Sequence, residues 1–95
     1  MSAKTLPIAK FRIGRIVATP AALDRLTQDD ILQGLQRHQA GEWGDVDEHD
    51  RQANERALTE GTRLWSVYHS TTGVKFWIIT EADRSASTVL LPEEY

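Results

Sequence analysis

Three histidines, a run of carboxylates and one carboxylate-arginine cluster are the residues of this chain with the most chemistry to offer. His38, His49 and His69 could each give a nitrogen to zinc, but they fall on an expected helix end, a helix start and a strand, a spacing that does not ask for convergence. Asp45, Asp47 and His49 place ligand atoms at alternate positions, as the opening of a calcium-binding loop does. Asp50 then stands where the sharp turn needs glycine and Arg56 where a bidentate glutamate belongs, so helix capping accounts for these side chains and no metal site is expected. Ser70, Thr71 and Thr72 read as turn residues, and no serine sits in a glycine-flanked elbow. The six glycines are scattered singly, so no loop cradles a phosphate and no cofactor is expected. Glu81, Asp83 and Arg84, beside a strand end, are where a small enzyme with a carboxylate and arginine site would be built; ordering of the loop by an Asp-Arg contact is the competing reading.

The elements that position these residues follow from periodicity and caps. Phe11, Ile13, Ile16 and Val17 supply a first strand, with Gly14 at the point where its apolar phase shifts. Thr19-Pro20 starts a short helix through Leu26, and Thr27 with Asp30 forms a capping box for a second helix whose apolar face carries Ile31, Leu32 and Leu35 up to Gly41. Asp47 caps a third helix, thinly apolar through Ala53, Ala57 and Leu58, which Gly61 ends. A hairpin follows, with its turn at Ser70-Thr71-Thr72-Gly73, and Thr88 to Leu91 give a last strand before Pro92. The expected fold is α+β, in the order β-α-α-α-β-β-β: an antiparallel sheet of about four strands with helices packed on one face. Residues 1–10 are expected to be a flexible tail and residues 11–95 a single domain.

On the hairpin Leu64, Tyr68, Val74, Phe76 and Ile78 alternate with Trp65, Val67, Trp77 and Ile79, so both faces are apolar. Helices on one side can bury only one of them. The other face, or an exposed edge, is therefore expected to meet a protein partner or a second copy of the chain, as a homodimer through the sheet.

Charge is divided unevenly along the chain, although the net value is only −3. Residues 42–60 are strongly acidic, and Glu42, Trp43, Asp45, Asp47, Glu48 and Asp50 are the expected partner contact, with Trp43 as anchor and Trp65 and Trp77 joining through the second face. Residues 1–41 have a basic excess, and Lys10, Arg12, Arg15 and Arg25 are the set a nucleic-acid-associated accessory protein would use. The overall acidity ranks that reading second. Cysteine is absent, no apolar run approaches the roughly 20 residues of a membrane span, and Met1–Lys10 lacks the apolar centre of a secretory signal. A cytoplasmic protein with no membrane contact is expected.

Arg15-Ile16-Val17-Ala18-Thr19-Pro20, Gly41-Glu42-Trp43-Gly44-Asp45, and Phe76 through Ser85 leading to Thr88-Val89-Leu90-Leu91-Pro92-Glu93-Glu94-Tyr95 give the chain a family likeness over Phe11 to Tyr95. It resembles the small bacterial proteins called plasmid-related proteins, encoded on plasmids and integrated mobile elements and sometimes labelled type I restriction subunit M. This chain has neither the length nor the glycine-rich loop of a methyltransferase. The resemblance implies a setting, mobile DNA, in which small acidic proteins inhibit CRISPR or restriction systems by occupying a nuclease surface. The expected function is a non-enzymatic protein-binding module, an inhibitor or regulator of a host defence complex.

Overall fold

Helix boundaries fall where local chemistry puts them in the computed structural model, which describes residues 8–95. The Thr19 hydroxyl accepts from the Ala22 amide at the start of α1 (Pro20–Arg25), and proline, which has no amide hydrogen to lose, fills its first position. At the start of α2 (Gln28–Gln39), the Asp30 amide donates to the Thr27 hydroxyl and the Thr27 amide donates back to Asp30 Oδ2, each at 3.1 Å. The other oxygen of Asp30 accepts from the Thr71 amide, so one carboxylate fastens the helix to the hairpin turn. Those amide bonds, Thr71 first and Thr27 next, hold the Asp30 carboxyl below its ordinary range. Asp47 caps α3 (Glu48–Glu60) by accepting from the Asp50 amide at 2.8 Å, and Gly61 ends it.

Among the described residues four strands make one sheet: β1 (Arg15–Ala18), β2 (Leu64–His69), β3 (Lys75–Thr80) and β4 (Ala86–Leu90), in the spatial order β1-β4-β3-β2. The expected α+β class and element order hold, but the sheet is mixed rather than wholly antiparallel, because β1 runs parallel to β4. The cause is topological. A strand-helices-strand crossover delivers β1 and β2 in the same direction, and two hairpin reversals then return β4 to that direction beside β1. The first strand is also shorter than its apolar residues suggest. Gly14 has φ 67°, and a side chain there would collide with the Arg84-Ser85 backbone, so Phe11 and Ile13 lie before a turn and outside the strand. The tail expected over residues 1–10 lies outside the described residues as far as position 7; at its other end the Lys10 amide donates to the Gln39 carbonyl at 2.8 Å.

All three helices pack on one sheet face. Ala22, Leu26 and Leu35 meet Tyr68, Phe76, Ile78, Val89 and Leu91, while Trp43 and Ala57 close over Leu64 with Phe11, Val46 and Leu58 at their margin. Among the described residues no helix is long and apolar enough to cross a membrane.

The two sheet edges are treated differently. At the outer edge of β2 the Asn54 side chain imitates a neighbouring strand: its amide donates to the Trp65 carbonyl at 2.7 Å and its oxygen accepts from the Trp65 amide at 3.0 Å. Two residues on, the Val67 amide donates to the Trp43 carbonyl and the Val67 carbonyl accepts from the Asp45 amide, at 3.0 and 2.8 Å. The segment can come this close because Gly44, at φ 78°, has no side chain; a Cβ would overlap the Val67 carbonyl oxygen. Gly44→Ala is expected to destabilise the fold by about 2–3 kcal/mol, through backbone strain and loss of this edge pairing, as read by urea unfolding.

Candidate functional site

The sheet face away from the helices carries the side chains that alternate with the core: Trp65, Val67, Trp77, Ile79 and Leu90. Among the described residues no α-helix covers it, yet Ile79 is only 7% exposed, because aromatic rings lie over the face. Trp65 and Trp77, adjacent on neighbouring strands, meet edge to face with centroids 5.2 Å apart. A short 3-10 helix, Pro92–Glu94, carries the chain past β4 and lays Tyr95 against Trp77 at 5.5 Å. Arg63 reaches over the Tyr95 ring and donates to its hydroxyl at 3.2 Å. Between these groups lies an open cleft of about 300 Å³ lined by Arg63, Leu64, Trp65, Trp77, Ile79 and Tyr95. The indole N–H groups of Trp65 and Trp77 are buried and have no acceptor among the described residues.

Of the residues expected to bind a partner, Trp65 and Trp77 lie together on this face, and the acidic segment lies elsewhere. Asp45 is on the stretch that seals the β2 edge, and Glu42, Asp45, Asp47 and Glu48 are exposed. The Asp47 carboxylate is occupied in capping α3, where it accepts from the Asp50 amide, and Glu48 takes a two-pronged contact from Arg51 that pushes its pKa down to about 2, with Gln52 assisting. Trp43 is corrected outright as a surface anchor. It is 4% exposed, stacks on Phe11 at 6.4 Å and donates its indole N–H to Glu55 at 2.7 Å. The ring is recruited inward because its backbone pairs with Val67, which leaves the side chain over the gap between α3 and β2.

The basic set does not form one stripe. Lys10 lies against Gly41, Arg12 and Arg15 are exposed near the start of β1, and Arg25 reaches Glu93 at 3.9 Å near the other end of that strand. Asp83 and Arg84, in turn, are engaged by backbone groups of their own loop and its neighbours. Arg84, at φ 62°, donates to the backbone carbonyls of Thr62, Ala57, Glu81 and Ala82, tying the loop to the C-terminal end of α3. Asp83 accepts from the Ser85 amide at 3.0 Å, and the Ser85 side chain and amide hold its carboxyl below the usual range. Asp47, His49 and Asp50 are the one group of potential metal ligands found together among the described residues, with ligand atoms within 4.8 Å of one another; the Asp47 carboxylate is already employed in capping α3, and the Asp50 carboxylate lies 3.6 Å from His49 Nδ1.

The strongest polar constellation is one that spacing alone gave no reason to assemble. His38 is completely buried, held edge-on to Phe11 and Trp43, with Nδ1 2.5 Å from the Ser66 hydroxyl and Nε2 2.8 Å from the Thr80 hydroxyl. Thr80 lies 2.6 Å from Ser87, whose hydroxyl donates to the Ile13 carbonyl at 2.7 Å. The terminal carbonyl orients the whole chain. Ser87 spends its proton on Ile13, so Thr80 must donate to Ser87; His38 Nε2–H then donates to Thr80, and Nδ1 accepts from Ser66. Each hydroxyl donates once along this chain, and all of them are shut away from solvent, so the histidine and serines act as internal fasteners and not as a nucleophilic dyad. Burial, with a smaller contribution from the Arg84 charge, drives the His38 pKa down to about 3.

Comparison of the chain with protein-family models, with curated proteins and with solved structures found no match. The tryptophan pair was recognisable from strand alternation. Arg63 and Tyr95 were not, because each joins the cluster from outside the strands.

Below pH 6.5 the unfolded chain binds a proton on His38 that the folded chain refuses until about pH 3. Stability is therefore complete above pH 6.5 and is expected to fall by about 1.4 kcal/mol per pH unit as the pH drops from there toward 4.5. Urea unfolding across that window, compared with His38→Gln, checks the sign: the variant should be less stable at neutral pH and have the flatter profile.

Proposed function

We propose that the chain is a non-enzymatic protein-binding module whose sheet face away from the α-helices receives a partner. The observation that carries this reading is the cluster of Trp65, Trp77 and Tyr95 around an open apolar cleft with Arg63 at its rim. Tryptophan, tyrosine and arginine are the residue types that dominate binding energy at protein interfaces, and here they are held by one another in fixed positions. Tyr95, at 70% exposure, has the most surface still to lose. The two unpaired indole N–H groups support the same reading. A buried donor without an acceptor costs about 1–3 kcal/mol, which an acceptor brought by a partner would offset. The exposed acids Glu42 and Asp45, beyond the sealed β2 edge, add charge that steers a basic surface toward the molecule.

The resemblance to plasmid and mobile-element proteins supports the choice of partner: a host defence complex of the CRISPR or restriction type, met in the cytoplasm. Occupation of a nuclease surface by an aromatic face needs no catalytic group on this side, in keeping with the structural employment of His38, Asp83 and Arg84.

Tyr95→Ala, with folding verified by circular dichroism, is expected to weaken binding to the target nuclease complex by about 30-fold, the effect of losing a contact worth about 2 kcal/mol. Biolayer interferometry against purified CRISPR and restriction complexes makes the measurement. Undiminished affinity of folded Tyr95→Ala and Trp77→Ala would refute the face, and absence of binding and inhibition by the wild-type chain would refute the partner class.

A further inference from the structure

The largest exposed aliphatic side chains within the fold are not on the aromatic face. Ile16, Leu23 and Leu32 are 51%, 61% and 55% exposed, and with Ala18, Gln28 and Ile31 they line a groove of about 460 Å³ where β1 lies beside α1 and α2. Among the described residues β1 is the unsealed edge of the sheet. The Arg15 amide donates inward to the carbonyl of Ser85, just before β4, and the Thr19 amide to that of Val89 within it. Strand alternation therefore turns the N–H and C=O groups of Ile16 and Ala18 outward, where among the described residues they meet no neighbouring strand.

From this edge we infer that two copies of the chain pair through β1, antiparallel about a twofold axis at Val17, and extend one sheet across the dimer. The segment able to pair is bounded by Gly14, whose positive φ breaks the strand, and by Pro20, which has no amide hydrogen; Arg15 to Thr19 between them is centred on Val17. In that register Ile16 faces Ala18 of the other copy twice over, so both outward amides and both outward carbonyls of each strand are satisfied. Moving the centre to Ala18 would set Ile16 against Pro20. Moving it to Ile16 would set Arg15 against Val17.

Charge selects a second copy as the occupant. Arg15 has no acidic partner within salt-bridge distance among the described residues. At the other end of β1, Glu94 accepts from the Thr19 hydroxyl and the Leu91 amide and likewise has no cation there. Centring the pair on Val17 brings Arg15 of each copy opposite Thr19 of the other, beside that unneutralised carboxylate, once at each end. On the helix side Ile16, Leu23 and Leu32 of the two copies then close over one another, as a twofold interface requires of a self-complementary patch.

The full chain is expected to sediment as a dimer at micromolar concentration. Amide hydrogen exchange should show protection of Ile16 and Ala18 that grows with protein concentration. Leu32→Glu should abolish the dimer, and Arg15→Glu should raise its dissociation constant about tenfold, with added salt weakening the wild type in the same direction. Both positions are exposed, so the variants should fold. The inference is overturned by a wild type that stays monomeric, or by protection at Ile16 and Ala18 that does not depend on concentration. A dimer indifferent to both substitutions, or one that they spare and Trp77→Ser destroys, overturns it equally.

Discussion

The buried chain of hydrogen bonds from Ser66 through His38, Thr80 and Ser87 to the Ile13 carbonyl joins α2, three strands and the segment that precedes the first strand. An apolar core alone would let α2 slide or rotate over the sheet at small cost, because hydrophobic contact is non-directional. An imidazole with hydroxyls on both of its nitrogens allows one register only. Any displacement that breaks one link strands polar groups in a site closed to bulk solvent, where their desolvation is uncompensated. The aromatic shell around His38, Phe11 on one side and Trp43 on another, covers that site and makes the N-terminal segment and the loop before α3 parts of the same closure.

This explains why residues with the most suggestive chemistry turn out to be structural. Arg84 places its donors on backbone carbonyls, Asn54 stands in for a strand, and Trp43 and Glu55 close one corner of the core. A domain this small has few apolar residues to spare, so polar side chains complete its packing and seal its edges. What remains outward among the described residues is an aromatic sheet face and the β1 edge.

Legibility in the sequence follows the range of the interaction. The caps at Thr19, Thr27 with Asp30, and Asp47 were readable because donor and acceptor lie three residues apart, and the hairpin because strand alternation and turn chemistry are local. The direction of β1 was not, since its partner strand is reached only after three helices and a hairpin. His38 could not be assigned either, for its partners stand 28 and 42 positions away. Trp43 misled because it lies among acids: composition marked the segment as surface, while the pairing of its backbone with Val67 turned the ring inward. Trp65 and Trp77 were placed together correctly, but their neighbours Arg63 and Tyr95 arrive from a loop and from the chain end, where no periodicity operates.

The carboxamide of Asn54 has one further consequence. A sheet with two bare borders can recruit protomers indefinitely and grow into a fibril, whereas this one has a border already occupied by its own side chain and by the Trp43-to-Asp45 segment. Elongation through that border is therefore blocked by the Asn54 carboxamide together with the Trp43-to-Asp45 segment.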